Sequence, residues 1–382
     1  MFLIFLLLLF TVNTDGAKKG DVCIGTRIGA AGVCTEITTC QKIIEDPIMR
    51  KFSPACQTQG LVDIVCCNTS IRLQNELCEP LPLSITSRKT GQKAWDKCVE
   101  YQQLVFPCWD GVRQQLCPHD AVAGLYLGSN THAAKHEFPH AVLLGYTNGQ
   151  DRLDWLCGGT LISDQFVLTA GHCTTSRVSG PVTHVAVHPS DRSNIDPDTI
   201  LKVKAIIKHP EFRPPRTYHD IALLELEKPV SLGPTTVPAC LLLNGDPPAS
   251  EESEDPATVI ATTWNTNDVL GNQITWLRKV SLTRYSIDEC SRIYPDSRRG
   301  GFNDSTQLCY GDQTQSRDIC QDDGGSAVVL KNQHLSCMYS AVGVASYGRG
   351  CFAHSPGVYT RVRSYAPWIE SVIYVWPPTR LM

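Results

Sequence analysis

The chain has 382 residues, 42% hydrophobic and 19% charged, and a formal net charge of −4. This is ordinary globular composition over a length that allows two or three domains. The near-neutral balance gives no electrostatic basis for binding nucleic acid or an anionic membrane, and no cofactor or metal is expected.

The first element is the apolar run 2–12. It is too short to span a bilayer, which needs about 20 residues, and it reads as a signal-peptide core cleaved near 13–17. A signal peptide over 1–16 and an extracellular, secreted protein are therefore expected. The eighteen cysteines, behind such a leader, imply disulfides in an oxidising compartment. Cys66 and Cys67 are adjacent and unaccompanied by Cys-x-x-Cys pairs, which argues against zinc there. The triplets Asn68-Thr69-Ser70 and Asn303-Asp304-Ser305 are compatible with glycosylation at Asn68 and Asn303.

Three regions follow. Residues 23–67 carry Cys23, Cys34, Cys40, Cys56, Cys66 and Cys67. So short a module buries little apolar area and needs staples; the six cysteines leave the pairing open. Residues 68–126 are polar, with Pro80, Pro82, Cys78, Cys98, Cys108 and Cys117. A short helix is predicted over 92–103, within a disulfide-tethered linker that lacks a sustained apolar pattern. Residues 127–382 hold short β-rich runs at 141–144, 166–168, 184–187, 201–207, 221–226 and 341–345, separated by turn residues. They read as all-β barrels or sandwiches. A C-terminal helix is predicted over 366–373 with Pro367 in its first turn.

The candidate chemistry lies in the third region. Leu168-Thr169-Ala170-Gly171-His172-Cys173 offers an imidazole suited to general-base work. His219-Asp220-Ile221-Ala222-Leu223-Leu224 offers a carboxylate suited to orienting it. Cys320-Gln321-Asp322-Asp323-Gly324-Gly325-Ser326 follows, then Ser346-Tyr347-Gly348 and Pro356-Gly357-Val358-Tyr359-Thr360. In this order the motifs resemble the chymotrypsin/trypsin-like serine proteases, over nearly all of 127–382. The cysteine order of 23–67, closing on a doublet, resembles the clip domain of arthropod serine proteases.

That resemblance implies a double β-barrel with a C-terminal helix behind a clip domain. It implies His172 and Asp220 as catalytic remnants. Asp318 would floor a pocket for Arg or Lys, walled by Ser346, Gly348 and Gly357. It also implies the disulfides Cys23–Cys66, Cys34–Cys56, Cys40–Cys67, Cys157–Cys173, Cys290–Cys309 and Cys320–Cys351. Cys117–Cys240 follows by analogy, with Cys98–Cys337 and Cys78–Cys108 left over.

Three departures matter. The nucleophile position is Gly324, which has no side chain. Asp322 stands where the family has a glycine whose N–H helps form the oxyanion site, and its carboxylate opposes developing negative charge there. Ser326, two residues on, points elsewhere on a fixed loop. Finally, no Lys or Arg lies between Gln114 and Ala134. The usual activating cut, here at Tyr126–Leu127, has no basic residue, and Asp323 has no new N-terminus to pair with. A cut after Arg113 would leave a long extension. The expected function is a secreted, catalytically inactive homologue acting as a binding cofactor in an extracellular proteolytic cascade, such as melanisation or Toll-type signalling. Its partners would be clip-domain proteases or their substrates. The alternatives are an active trypsin-like endopeptidase and a clip-mediated recognition module with an inert barrel.

Overall fold

The computed structural model describes residues 22–24, 31–36, 64–67, 78–109, 112–113, 115–117, 132–150, 152–243, 255–264, 266–267, 273–298, 300–312, 324–348 and 355–375. The chain divides into two compact units, 1–77 and 78–382. In the first, Val22–Ile24, Ala31–Glu36 and Ile64–Cys67 form a three-stranded antiparallel sheet, with Cys34 opposite Cys66 and Val33 opposite Cys67. Cys34 is disulfide-bonded and fully buried. The three pairings expected in this unit rest on side chains outside the described residues, as do the leader and Asn68.

The second unit is built on two six-stranded barrels. The first comprises β1 (Ala141–Thr147), β2 (Leu153–Leu161), β3 (Phe166–Thr169), β4 (His184–Val187), β5 (Ile200–Lys208) and β6 (Ala222–Leu226), closed in the order β4-β5-β6-β3-β2-β1. Closure by the β1–β4 ladder removes the free sheet edge. The second comprises β7 (Cys240–Leu241), β8 (Thr258–Thr263), β9 (Arg278–Arg284), β10 (Gln307–Gly311), β11 (Ala327–Lys331), β12 (Tyr339–Tyr347) and β13 (Gly357–Arg361). Its order is β7-β12-β11-β8-β9-β10-β13, and β12 also pairs with β13, so six strands close and β7 adds a parallel edge. β6 reads Ala-Leu-Leu-Glu-Leu and is buried at every position, as a strand wrapped on both faces should be. This is the chymotrypsin-like all-β architecture.

Among the described residues three α-helices complete the unit: α1 (Lys93–Gln102), α2 (Ile287–Ile293) and α3 (Val362–Val375). The capping box at the start of α2, Ser286 with Glu289, satisfies two of its orphan donors. α3 begins four residues earlier than predicted, so Pro367 lies inside it rather than in its first turn. The buried spacing of Val362, Tyr365, Ala366 and Ile369 seats that extra turn and outweighs the hydrogen bond that proline cannot make.

The segment predicted to be a tether is in part a packed element. Trp95 is 1% exposed, and Leu81, Ala94, Trp95, Cys98, Val105 and Phe106 join the core of the barrels. Ala94 N donates to Glu370 Oε1 at 2.8 Å, and Gln102 Nε2 donates to the carbonyls of Ile85 and Ser336. This docking corrects the expected Cys117–Cys240 disulfide. α1 lies against β7, so Cys98 bonds Cys240, and Cys117 bonds Cys337 instead. The remaining pair is Cys78–Cys108.

Candidate active site

His172 sits on a short 3-10 turn, Gly171–Thr174, directly after β3. The disulfide Cys157–Cys173 ties that turn to β2, and Thr174 Oγ1 donates to Gly171 O at 2.7 Å. Asp220 enters from the start of β6. The preceding residue, His219, has φ +56°, and Ile221 N donates to His219 O at 2.8 Å, a tight turn that aims the carboxylate inward. Asp220 is 2% exposed, yet its two oxygens accept three donors. His172 N reaches Oδ1 at 2.8 Å, and His172 Nδ1 and Ser346 Oγ reach Oδ2 at 2.8 Å and 2.5 Å. A buried carboxylate needs such partners. Thr360 Oγ1 also donates to Asp220 O at 2.8 Å.

The hydroxyl of Ser346, a residue expected in the pocket wall, serves Asp220. Sequence reasoning missed this role and that of Thr360. The signal available was register: Val344 pairs with Thr360 across β12 and β13, which brings both strands beneath the carboxylate.

Burial is the largest single influence on the His172 pKa and pushes it down. The charge of Asp220 and its hydrogen bond together outweigh burial and hold the pKa above the ordinary histidine value. The stabilisation from this pair is full below the unfolded pKa of about 6.5 and fades as pH rises through the folded pKa. NMR titration of the His172 ring is therefore expected to give a midpoint above that of a free histidine. In Asp220→Asn it should fall, because the charge that raises it is gone. A midpoint unmoved by Asp220→Asn would show that the carboxylate does not set the charge.

Opposite the imidazole stands Gly324. A Cβ built there lies 2.5 Å from His172 Nε2 and 3.3 Å from Cys173 Sγ, so the residue occupies the place where a nucleophile would face the base. The turn is pinned from both barrels. Gly158 N donates to Gly324 O at 3.0 Å, Gly325 N to Ala345 O at 2.9 Å, and Ala345 N to Ser326 O at 2.9 Å. Gly325 must be glycine: its φ is +83°, and a Cβ would meet Thr169 Oγ1 and Gly158 O at 2.2 Å and 2.6 Å.

Ser326 is 5% exposed and its hydroxyl lies against Gly158, not His172. Among the described residues that hydroxyl has no hydrogen-bond partner. Ser326→Ala is expected to be neutral or stabilising by up to about 1 kcal/mol, read from the denaturant midpoint. A clear loss of stability would mean that the hydroxyl has a partner.

Gly348 directly follows β12 and Gly357 opens β13, with a Cβ on Gly348 only 3.9 Å from Gly357 Cα. Cys290–Cys309 ties α2 to β10. Asp318, Asp322, Asp323, the Cys320–Cys351 pairing and the Tyr126–Leu127 junction lie outside the described residues. Arg113 lies within them and is engaged: its Nε donates to Glu79 O at 2.8 Å and its NH1 to Phe106 O at 3.0 Å. A protease would have to break both bonds to use it. Asn303 is exposed, and its Oδ1 accepts from Ser305 N and Oγ. The acidic carboxylates of Asp191 and Asp196 cap their own turns.

The trypsin family model matches residues 128–369. Serine protease snk of Drosophila melanogaster is 37% identical over 376 residues, 95% of this chain and 81% of the relative. CLIP domain-containing serine protease B4 of Anopheles gambiae is 29% identical over 73% of this chain and 81% of its own. Phenoloxidase-activating factor 1 of Holotrichia diomphalia is 25% identical over 97% of this chain and 98% of its own. A double barrel that brings His172, Asp220 and the 324–326 turn together, matched along the chain by these relatives, belongs to the trypsin-like serine proteases of the arthropod clip-domain family.

Proposed function

We propose that this chain is a secreted, catalytically inactive member of its family that binds proteins in an extracellular proteolytic cascade. The observation that carries the reading is Gly324 facing His172 Nε2: the base and its carboxylate are kept where the nucleophile is missing. Without a hydroxyl there is no acyl-enzyme. Asp322 adds a charge against the oxyanion site, and the missing basic residue at Tyr126–Leu127 removes the activating cut. Binding needs none of these. The family resemblance gives Asp318 the role of a basic-residue acceptor, and with Gly348 and Gly357 bearing no side chains such a pocket would hold a partner's Arg or Lys side chain without cutting it. The relatives' names, among them a phenoloxidase-activating factor, support a cascade setting in which clip-domain proteases or their substrates are the partners.

The test has two arms. The purified chain, before and after cleavage at Arg113, is offered arginyl amide substrates. Turnover at the buffer rate is expected, and turnover abolished by Ser326→Ala would overturn inactivity. In the second arm, benzamidine binding and partner recovery from haemolymph are compared with those of Asp318→Ala. Loss of both is expected. Partner recovery unchanged by Asp318→Ala would remove the pocket and leave the clip domain as the recognition element.

A further inference from the structure

Outside the cleft, three side chains with metal-ligating atoms converge: His209, Glu211 and His219. Their meeting follows from the fold. Lys208 pairs with Ala222 across the β5–β6 ladder, and His209 N donates to Ile221 O at 3.1 Å. The residues leaving β5 and those entering β6 are therefore held side by side. His209 and His219 stack with ring centroids 5.2 Å apart and planes 11° from parallel. Glu211 Oε2 lies 3.9 Å from His219 Nδ1. The floor is aromatic: Tyr365 and Trp368 of α3 meet the His209 ring edge-on at 5.1 Å and 5.0 Å. Tyr365 Oη lies 3.0 Å from His219 Nδ1, the nitrogen that also faces Glu211.

We propose that His209, Glu211 and His219 form a binding site for a zinc-class divalent cation. Two imidazoles and one carboxylate, with a fourth position open to water, are a zinc donor set; calcium and magnesium prefer oxygen alone. The candidate donor atoms lie within 4.8 Å of one another. A tetrahedral ion with bonds of about 2.0 Å brings ligands to about 3.3 Å. Rotation of side chains closes that difference, helped by Glu211, whose side chain is 69% exposed. The ion would tie together the two ends of the 209–219 segment. That segment borders the cleft, since a Cβ on Gly171, next to His172, would lie 2.7 Å from the Phe212 ring, and His219 directly precedes Asp220. The cation would thus brace the wall beside His172 from outside, whatever the cleft itself binds.

Tag-free full-length protein, stripped with EDTA and dialysed, is titrated calorimetrically with Zn2+ and, separately, with Ca2+. Co2+ supplies a second readout through its visible absorption in a tetrahedral site. One Zn2+ per chain is expected, with no saturable Ca2+ binding at this site. Glu211→Gln, His209→Ala and His219→Asn should each weaken Zn2+ by about tenfold or more. Asparagine at 219 tolerates the left-handed backbone there, and near-UV circular dichroism checks the fold of each variant. The exposed Glu211→Gln decides the question should a histidine variant misfold. Absence of one-to-one Zn2+ binding, or wild-type affinity in any folded variant, overturns the proposal.

Discussion

Gly324→Ser on its own is expected to leave turnover of arginyl amides at least about 10²-fold below an ordinary turnover of about 10 s⁻¹. Loss of the serine from a comparable triad costs about 10⁶ in kcat, or roughly 8 kcal/mol of barrier, so restoring the hydroxyl might be thought sufficient. The geometry argues otherwise. The new Cβ would fall 2.5 Å from His172 Nε2, closer than nonbonded atoms approach, and 3.1 Å from Cε1, a tight contact. The imidazole cannot simply retreat, because Nδ1 and its own backbone N are both held by Asp220 at 2.8 Å. Nor is the turn free, being bonded to β2 and β12. A serine would therefore displace the base it needs. The aspartate at position 322, expected to oppose the oxyanion, and the absence of a basic residue at the Tyr126–Leu127 junction add to this. Gly324→Ser with Asp322→Gly should exceed the single variant by about 10²-fold. Covalent labelling by a fluorophosphonate gives an independent reading of whether the new hydroxyl is activated. Robust cleavage by the single variant would show that the turn yields easily and that the two further departures carry little.

What was legible from sequence was whatever a local motif encodes. His172 and Asp220 each sit in a short run beside strand residues, the first with a pinning cysteine, and the structure brings them to 2.8 Å. Gly324 was identifiable by counting from Cys320, and its place against Nε2 follows from the fixed turn. The bond from the Ser346 hydroxyl to Asp220 was missed because whether a strand hydroxyl meets a carboxylate depends on register between β12 and β13, which a single strand does not reveal. The linker disulfides failed for a related reason. Counting cysteines cannot show that α1 docks on β7, and that docking alone selects Cys98 for Cys240. The helix itself gave a weak signal. Its buried residues include Gln102, whose Nε2 donates to carbonyls 17 and 234 residues away; such long-range partners leave no trace in local periodicity. The His209, Glu211 and His219 cluster was illegible for the same reason, since ladder register rather than spacing brings it together.

The packed helix makes a quantitative claim on stability. Trp95→Ala is expected to destabilise the 78–382 unit by about 3–5 kcal/mol, a third or more of the roughly 5–15 kcal/mol that holds a typical domain folded. Trp95 is 1% exposed, its Nε1 donates to Arg88 O at 3.0 Å, and its ring meets His334 edge-on with centroids 6.3 Å apart. Truncation would remove the largest side chain between α1 and the barrels, open a cavity, and leave the Arg88 carbonyl without that donor. The disulfide Cys98–Cys240 would survive, so the loss reports packing rather than covalent tethering. Ile287→Ala supplies the contrast: its side chain is 53% exposed at the start of α2, and a change within about 0.5 kcal/mol is expected. Denaturant unfolding of both variants with disulfides intact, followed by near-UV circular dichroism, measures the difference. If α1 were only a tether, Trp95→Ala would shift the transition no more than Ile287→Ala does. A large shift makes residues 78–109 part of the folded barrel unit, so that any cleavage within them would act on its stability as well as on its connection to the first unit.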